Sequence, residues 1–330
     1  MKFQVLSDKA YQKSCIMPVA EELKKRGNEI FEAASEPVPA VEVDATLIAS
    51  VKYLNPGLIN KLKRPIFSMP HTVAVVKTTL FEQHTRSDYM LMTGPIWKER
   101  MEYVFPKYKQ NLEIGYPKGD ELVAGKSPPG RQAGTRNEVI NELGLDPKEP
   151  IVMFAPSWDD PEAKRKGTMD ALPQIEALGF KNLLVCPHDY DKMFNKLEGK
   201  KIIKQPNKNR YLMAADLMIG DMSGIMIEFA ILDKPMVQID MYGDKRMYGI
   251  WEEPANHYGI FQIGEFATPD SLSKAVKEAL NDPDKYKFLR DYWKWRSFYN
   301  LGTATKAAAD AVEQLTGSYE QRSRRKFFFF

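Results

Sequence analysis

Twenty-five residues, Ala215-Asp-Leu-Met-Ile-Gly-Asp-Met-Ser-Gly-Ile-Met-Ile-Glu-Phe-Ala-Ile-Leu-Asp-Lys-Pro-Met-Val-Gln-Ile239, constrain this chain more than any others. Leu217-Met218-Ile219 reads as a short buried strand. Asp221, Ser223 and Gly224 form a polar turn, Ile225 to Leu232 has helical character, and Pro235 opens a second strand from Met236 to Ile239. The order is that of a βαβ corner. Backbone N–H groups opening the helix have no partner within it and carry the positive end of its dipole, so the turn is expected to hold a diphosphate without a lysine. Glu228 follows Gly224 by four residues and lies one turn below it, in reach of a sugar hydroxyl on such a diphosphate. The plainer alternative has Ser223 capping the helix and Glu228 solvated.

The same alternation runs through the rest of the chain and predicts α/β architecture with largely parallel sheets. In the first half the strands are Phe3 to Leu6, Ala45 to Ser50, Pro65 to Ser68, Tyr89 to Thr93 and Leu112 to Ile114, with a helix from Val19 to Arg26. Ile151 to Ala155, Leu183 to Cys186 and Ile202 to Lys204 precede the βαβ corner in the second. A chain of 330 residues suits two domains. The Gly-, Pro-, Lys- and Ser-rich stretch from Gly115 to Pro150 places their junction near 148, giving domains 1–148 and 149–285, with helices and a tail over 286–330. Two doubly wound, Rossmann-like halves facing each other put a ligand cleft at the carboxyl ends of both sheets.

Composition excludes several classes. With 43% hydrophobic and 28% charged residues and a net charge of +3, the chain is a soluble globular protein without a broad nucleic-acid-binding surface. Cys15 and Cys186 are far apart in sequence, which argues against a disulfide framework or zinc site and for a reducing cytoplasm. No stretch approaches the roughly 18 apolar residues of a membrane span. The tail Arg322-Ser-Arg-Arg-Lys-Phe-Phe-Phe-Phe330 reads either as an interfacial anchor, cations on headgroups and rings at the acyl boundary, or as a disordered terminus or expression scar. No Gly-x-Gly-x-x-Gly follows the first strand, and neither a Walker-type Gly-Lys-Ser/Thr nor a Gly-x-Ser-x-Gly elbow occurs, which argues against dinucleotide oxidoreductases, NTPases and α/β-hydrolases.

Of the four histidines, His71 and His188 each follow a predicted strand, one in each half, and so face the same cleft; His84 and His257 fall in less defined surroundings. Asp189-Tyr-Asp191 matches an Asp-x-Asp metal pattern, but three residues of a common pattern weigh little against a helix terminus already suited to phosphate, and neither metal nor cofactor is expected. Ser157, Trp158 and Asp159 follow the strand Ile151 to Ala155 and make a candidate cleft loop, or a polar turn before Pro161.

Taken together, these segments resemble the CDP-glycerol glycerophosphotransferase family, GT-B-type enzymes that prime and extend teichoic-acid and related poly(glycerol phosphate) chains. Phe154-Ala-Pro-Ser-Trp-Asp-Asp160 is similar to its Tyr-Ala-Pro-Thr-Trp-Arg-Asp segment, and Pro187-His188 to its Leu-His-Pro region. Asp216 to Pro235 is similar to its Ala-Asp, Thr-Asp-Tyr-Ser-Ser, Phe-Asp and Lys-Pro series. In the first half, Pro70-His71-Thr72 lacks the Trp and Gly of the family's Trp-His-Gly-Thr, while Gly94 and Gly115-Tyr-Pro-Lys-Gly-Asp120 look like family segments.

The resemblance implies transfer of glycerol phosphate, or a similar alditol phosphate, from a CDP-linked donor to a hydroxyl acceptor, lipid-linked or polymeric, by a cytoplasmic enzyme that can sit at the inner membrane face. His71 would be the base on the acceptor side. His188, Asp221, Ser223 and Gly224 would meet the donor phosphates, Glu228 the ribose, and Asn207, Asn209 and Tyr211 the nucleotide. Two alternatives stay open: a GT-B glycosyltransferase using a UDP- or other nucleotide-sugar, and a catalytically silent nucleotide-binding protein.

Overall fold

The structure is a computed structural model that describes residues 1–33, 41–71, 73, 82–125, 131–157, 167–188, 197–205, 207–221, 223–241 and 262–327. It packs as two units, Met1–Glu121 with Trp295–Phe330, and Leu122–Lys294. In the first, strands β1 (Lys2–Leu6), β2 (Glu29–Ala33), β3 (Ala45–Ile48), β4 (Ile66–Ser68), β5 (Tyr89–Met92) and β6 (Asn111–Glu113) stand in the order β2-β1-β3-β4-β5-β6. In the second, β7 (Ile151–Ala155), β8 (Asn182–Val185), β9 (Lys201–Ile202), β10 (Leu217–Gly220), β11 (Met236–Ile239) and β12 (Glu265–Ala267) stand in the order β12-β11-β10-β7-β8-β9. Every pairing is parallel. The expected doubly wound α/β architecture is therefore present in both units.

Among the described residues, the α-helices of five or more residues are α1 (Ala10–Lys25), α2 (Pro95–Val104), α3 (Pro117–Gly125), α4 (Arg131–Leu143), α5 (Leu172–Glu176), α6 (Asn209–Ala214), α7 (Gly224–Ala230), α8 (Leu272–Asn281), α9 (Lys287–Ser297) and α10 (Ala304–Phe327). Among the described residues, none is long and apolar enough to cross a membrane.

Central strands are buried on both faces, as β3, β7, β10 and β11 show along their whole length, because helices cover each side of a parallel sheet. Val152, Phe154, Leu217, Ile219, Val237 and Ile239 form the core of the second unit with α5 and α8. The expected helix from Val19 begins in fact at Ala10 and runs through Pro18. An interior proline costs about 3 kcal/mol, but α1 buries Cys15, Ile16, Val19, Ala20 and Leu23, at roughly 1.5–3 kcal/mol for each large side chain. Burial outweighs the break.

The chain's end returns to the first unit, and two glycines admit it. A Cβ on Gly94 would stand 2.1 Å from the Ser297 carbonyl carbon, and one on Gly115, at φ +96°, would stand 2.2 Å from the Tyr299 carbonyl oxygen. Tyr299 N–H donates to the Thr93 carbonyl at 2.8 Å. The Asp120 carboxylate accepts from the N–H groups of Ala304 and Thr305 at 3.1 and 2.7 Å and so caps α10. Beyond that cap, Arg26 at the end of α1 pairs with Asp310 and Glu313 at 2.7 and 2.9 Å. The segments around Gly94 and Gly115 to Asp120 thus seat the C-terminal helix.

Candidate functional site

In the second sheet the strand order reverses between β7 and β10, where neighbouring connections leave in opposite directions and a crevice opens at the carboxyl ends. Phe154 lies beside Ile219 and Ala155 beside Gly220, so the loops starting at Pro156 and Asp221 leave the sheet together. On the other side of β7, Phe154 lies beside Val185, which carries Pro187 and His188 to the same edge. His188 is half-buried there. Ser157, Asp221 and His188, separated by up to 64 residues in sequence, thereby share one sheet edge.

Asp221 organises that edge. It is 2% exposed, and one carboxylate oxygen accepts from the Ser157 N–H at 3.2 Å, from the Ser157 hydroxyl, and from the Thr168 hydroxyl at 3.1 Å. Its other oxygen accepts from the Ser223 N–H at 3.1 Å. A carboxylate receiving four donors is spent on holding protein groups and does not itself hold an anion. Asp221 thereby sets the positions of Ser157 and Ser223. Thr168 was not foreseen from sequence, since nothing around Gly167-Thr168 marks it locally.

Ser223 occupies the N-cap position of α7 with extended backbone, φ −70° and ψ 145°, yet its side chain makes no cap hydrogen bond. The plain capping alternative is thereby set aside, and the hydroxyl is left available beside Gly224. Glu228, 8% exposed on the same helix, is buried and not solvated.

The nucleotide segment divides. Asn207 is exposed and its side-chain oxygen accepts from the Asn209 N–H at 3.0 Å, a local turn at the start of α6. Asn209 is fully buried. Tyr211 is buried as well, its hydroxyl donating to Glu142 on α4 at 2.9 Å and Arg210 lying over its ring at 5.0 Å. Tyr211 is therefore a contact between α6 and α4. Trp158 and Asp159, like the Asp189-Tyr-Asp191 pattern, lie outside the described residues. Among the described residues no cluster of three or more His, Cys, Asp or Glu is arranged to hold a metal ion.

In the first unit, His71 follows β4 and is half-buried. The Tyr11 ring packs against its imidazole, centroids 5.0 Å apart at 58°. Cys15 Sγ lies 3.5 Å from the His71 carbonyl oxygen and 3.7 Å from the Tyr116 hydroxyl. Burial holds the imidazole down at about 4, against the opposing pull of the Asp8 carboxylate. His84, given no role from sequence, is 2% exposed, stands edge-on to Trp97 with centroids 6.4 Å apart, and is held at about 3 by burial and by the proximity of His71.

Residues 62–257 match the model of the family described as CDP-glycerol:poly(glycerophosphate) glycerophosphotransferase. The chain is 25% identical over 183 residues to the teichoic acid glycerol-phosphate transferase of Staphylococcus aureus (strain NCTC 8325 / PS 47), a match covering 50% of this chain and 45% of the relative. It is 23% identical over 249 residues to the teichoic acid poly(glycerol phosphate) polymerase of Bacillus spizizenii, covering 69% of this chain and 58% of the relative. The chain thus spans about half the length of these curated relatives. Among solved structures, the wall teichoic acid polymerase TagF superposes with a TM-score of 0.73 at 17% identity, over 96% of this chain and 89% of that one, a likeness of fold.

Proposed function

Because the chain belongs to the CDP-glycerol:poly(glycerophosphate) glycerophosphotransferase family, we propose that it moves glycerol phosphate, or a similar alditol phosphate, from a CDP-linked donor to an acceptor hydroxyl in the synthesis of a cell-surface polymer. The observation that carries the donor side is Ser223. Its hydroxyl is uncommitted to the helix it precedes, and its N–H is fixed by Asp221 at the strand-order reversal where ligands of open parallel sheets bind.

The chemistry follows from charge. The acceptor oxygen attacks the phosphorus that bears glycerol, its proton passes to a base, the bridging P–O bond breaks, and CMP leaves with the electron pair. His71 is neutral at pH 7, given its depressed value, and so is free to take the proton. His188, the Ser223 hydroxyl and the N–H groups around Gly224 meet the charge that builds on the bridging oxygen and the departing phosphate. Glu228 reaches the ribose hydroxyls, and Ser157 lines the loop opposite.

Calorimetric titration with CDP-glycerol, CDP, UDP and UDP-glucose, followed by assay of CMP and of a new phosphodiester in the presence of a hydroxyl acceptor, tests this reading. Preference for cytidine ligands and release of CMP are expected, and His188→Ala should cut release by roughly 10²–10⁴-fold with the melting temperature unchanged. Preference for uridine ligands would overturn the donor, and binding without turnover would leave a nucleotide-binding protein.

The acceptor we propose is polymeric or lipid-linked, met at the inner membrane face. The helix α10 runs through Phe327 and so includes Arg322, Arg324, Arg325 and Lys326 in its last turns. Cosedimentation with anionic vesicles, abolished by removal of residues 322–330, is the expected result.

A further inference from the structure

The direction of α10 fixes where its basic end lies. The helix starts at the carboxyl edge of the first sheet, where the Asp120 carboxylate on α3, just past β6, accepts from the N–H groups of Ala304 and Thr305 at 3.1 and 2.7 Å. All six strands are parallel, so His71, just past β4, stands at that same edge. By Glu313 the helix has reached the opposite edge. Glu313 accepts there from Asn28 at 2.6 Å and from Arg26 at 2.9 Å, and Asn28 accepts from the Met1 ammonium at 2.9 Å, beside the first residues of β1 and β2. From Ala304 to Glu313 a helix rises about 14 Å, and a strand the length of β1 spans about 14–17 Å, so α10 runs nearly along the strands. Its course to Arg324 then carries it about 17 Å beyond the amino edge, about 30 Å from its start.

Charge decides how such a helix meets a bilayer. Ala304 to Gln321 carries Lys306 against Asp310, Glu313 and Glu320, a net −2, whereas Arg322, Arg324, Arg325 and Lys326 give the last turns +4. An anionic leaflet attracts cations and repels acids within a Debye length of its surface, so it takes α10 by its end and not by its side. We infer that the anchored chain holds the acceptor edge of its first unit about 30 Å off the bilayer, and so selects acceptors whose reactive hydroxyl lies at least that far from their lipid. A glycerol phosphate repeat has twice the backbone bonds of an amino-acid residue and spans about 7 Å when extended, so about four or five repeats, or a linker of equal length, reach the edge of His71. The anchored enzyme lengthens chains already begun and does not start them on a bare lipid. This reach requirement rests on the transfer reaction and the anchor proposed above, whereas the course of α10 does not.

The test has two readouts. Cys15 and Cys186 are buried, so a dye couples to the added thiol of Glu29→Cys, at the edge that Glu313 reaches, or of Lys52→Cys, at the edge of His71, both exposed positions. On phosphatidylserine vesicles carrying an energy-accepting lipid dye, transfer should be stronger from position 29 than from position 52. Equal or reversed transfer, or no binding to these vesicles, overturns the placement. In the same vesicles without dye, CMP release from CDP-glycerol is measured with diacylglycerol-linked acceptors carrying one or about six glycerol phosphate units, the longer chosen to exceed the extended reach. The one-unit acceptor should be used at least about 10-fold more slowly, because a tether too short to span leaves an effective concentration near zero. In detergent, where no plane holds the lipid, the two should match. Equal use on vesicles, or a difference that persists in detergent, overturns the reach requirement. Absence of CMP release with either acceptor in either medium counts against the proposed function alone, and energy transfer still decides the placement.

Discussion

Neutralising Asp221 separates two accounts of the sheet edge, because they differ in sign. If the carboxylate merely stands beside a bound diphosphate, removing its charge should tighten the donor. At an assumed separation of about 6 Å and an effective dielectric constant of 20 to 80, two unit charges repel by roughly 0.7–2.8 kcal/mol, so affinity would rise about 3- to 100-fold. The hydrogen bonds point the other way. One oxygen receives Ser157 N–H, Ser157 hydroxyl and Thr168 hydroxyl, and the other receives Ser223 N–H alone. In Asp221→Asn the amide oxygen will take the three-donor position, which turns the NH₂ toward Ser223 N–H, donor against donor. The variant loses one charge-assisted bond, worth about 1.5–3 kcal/mol, and weakens three others, partly offset by no longer burying a charge. A net cost of about 2–3 kcal/mol corresponds to a melting temperature lower by on the order of 4–12 °C. Thr168→Ala should cost less, about 1–2 kcal/mol, and less again in the Asp221→Asn background, since the two share one contact. The assays are urea denaturation with a double-mutant cycle and calorimetric titration with CDP-glycerol at a temperature where both proteins are folded. Weaker binding is expected. Unchanged stability, or a donor bound more tightly by Asp221→Asn, refutes the positioning argument.

Ser223→Ala should cost under about 0.5 kcal/mol, less than the usual loss of a cap, because no cap bond exists to lose, while CMP release falls at least about 10-fold; a melting loss equivalent to more than about 1 kcal/mol would restore the capping role. His84 is held at about 3 when folded, against about 6.5 when unfolded, so the unfolded chain takes the proton first. Its contribution to stability is intact above about pH 6.5 and is lost as the pH falls toward 3, with a slope approaching 1.4 kcal/mol per pH unit. His84→Gln should flatten the dependence of the urea midpoint between pH 6 and 4, and an identical slope would show that the imidazole is not buried neutral. Tyr211→Phe removes a hydroxyl that donates to Glu142, so about 1 kcal/mol of stability should go with CDP affinity unchanged, and a tenfold weaker CDP complex would return Tyr211 to the nucleotide site.

Which strands were legible depended on where they lie in the sheet. The runs read as β1, β3, β4, β5, β7, β8, β10 and β11 lie inside their sheets and are apolar there, while the edge strands β6 and β9 were caught by Leu112, Ile114, Ile202 and Ile203. The two strands not foreseen, Glu29–Ala33 and Glu265–Ala267, each form one edge of their sheet, opposite β6 and β9. An edge strand pairs on one side only and can carry charge as a guard against further pairing, so Glu29-Ile-Phe-Glu-Ala33 gives no continuous apolar run. The start of α1 was missed for a related reason. Pro18 carries a local penalty, and the burial that outweighs it comes from residues that only the folded unit brings together.

The site shows the same limit at higher resolution. Residue type and local spacing placed Ser223, Gly224 and Glu228 on one turn and the helix after it, and put His188 at a strand end, because each of those statements involves neighbours in sequence. What Asp221 does depends on Ser157 and Thr168, 64 and 53 residues away, and nothing local says whether an acid in a phosphate-sized turn faces the ligand or the frame behind it. Charge alone should have favoured the frame. A carboxylate gains nothing from a diphosphate and a great deal from four donors in a buried place, so acids in such turns are better read first as supports.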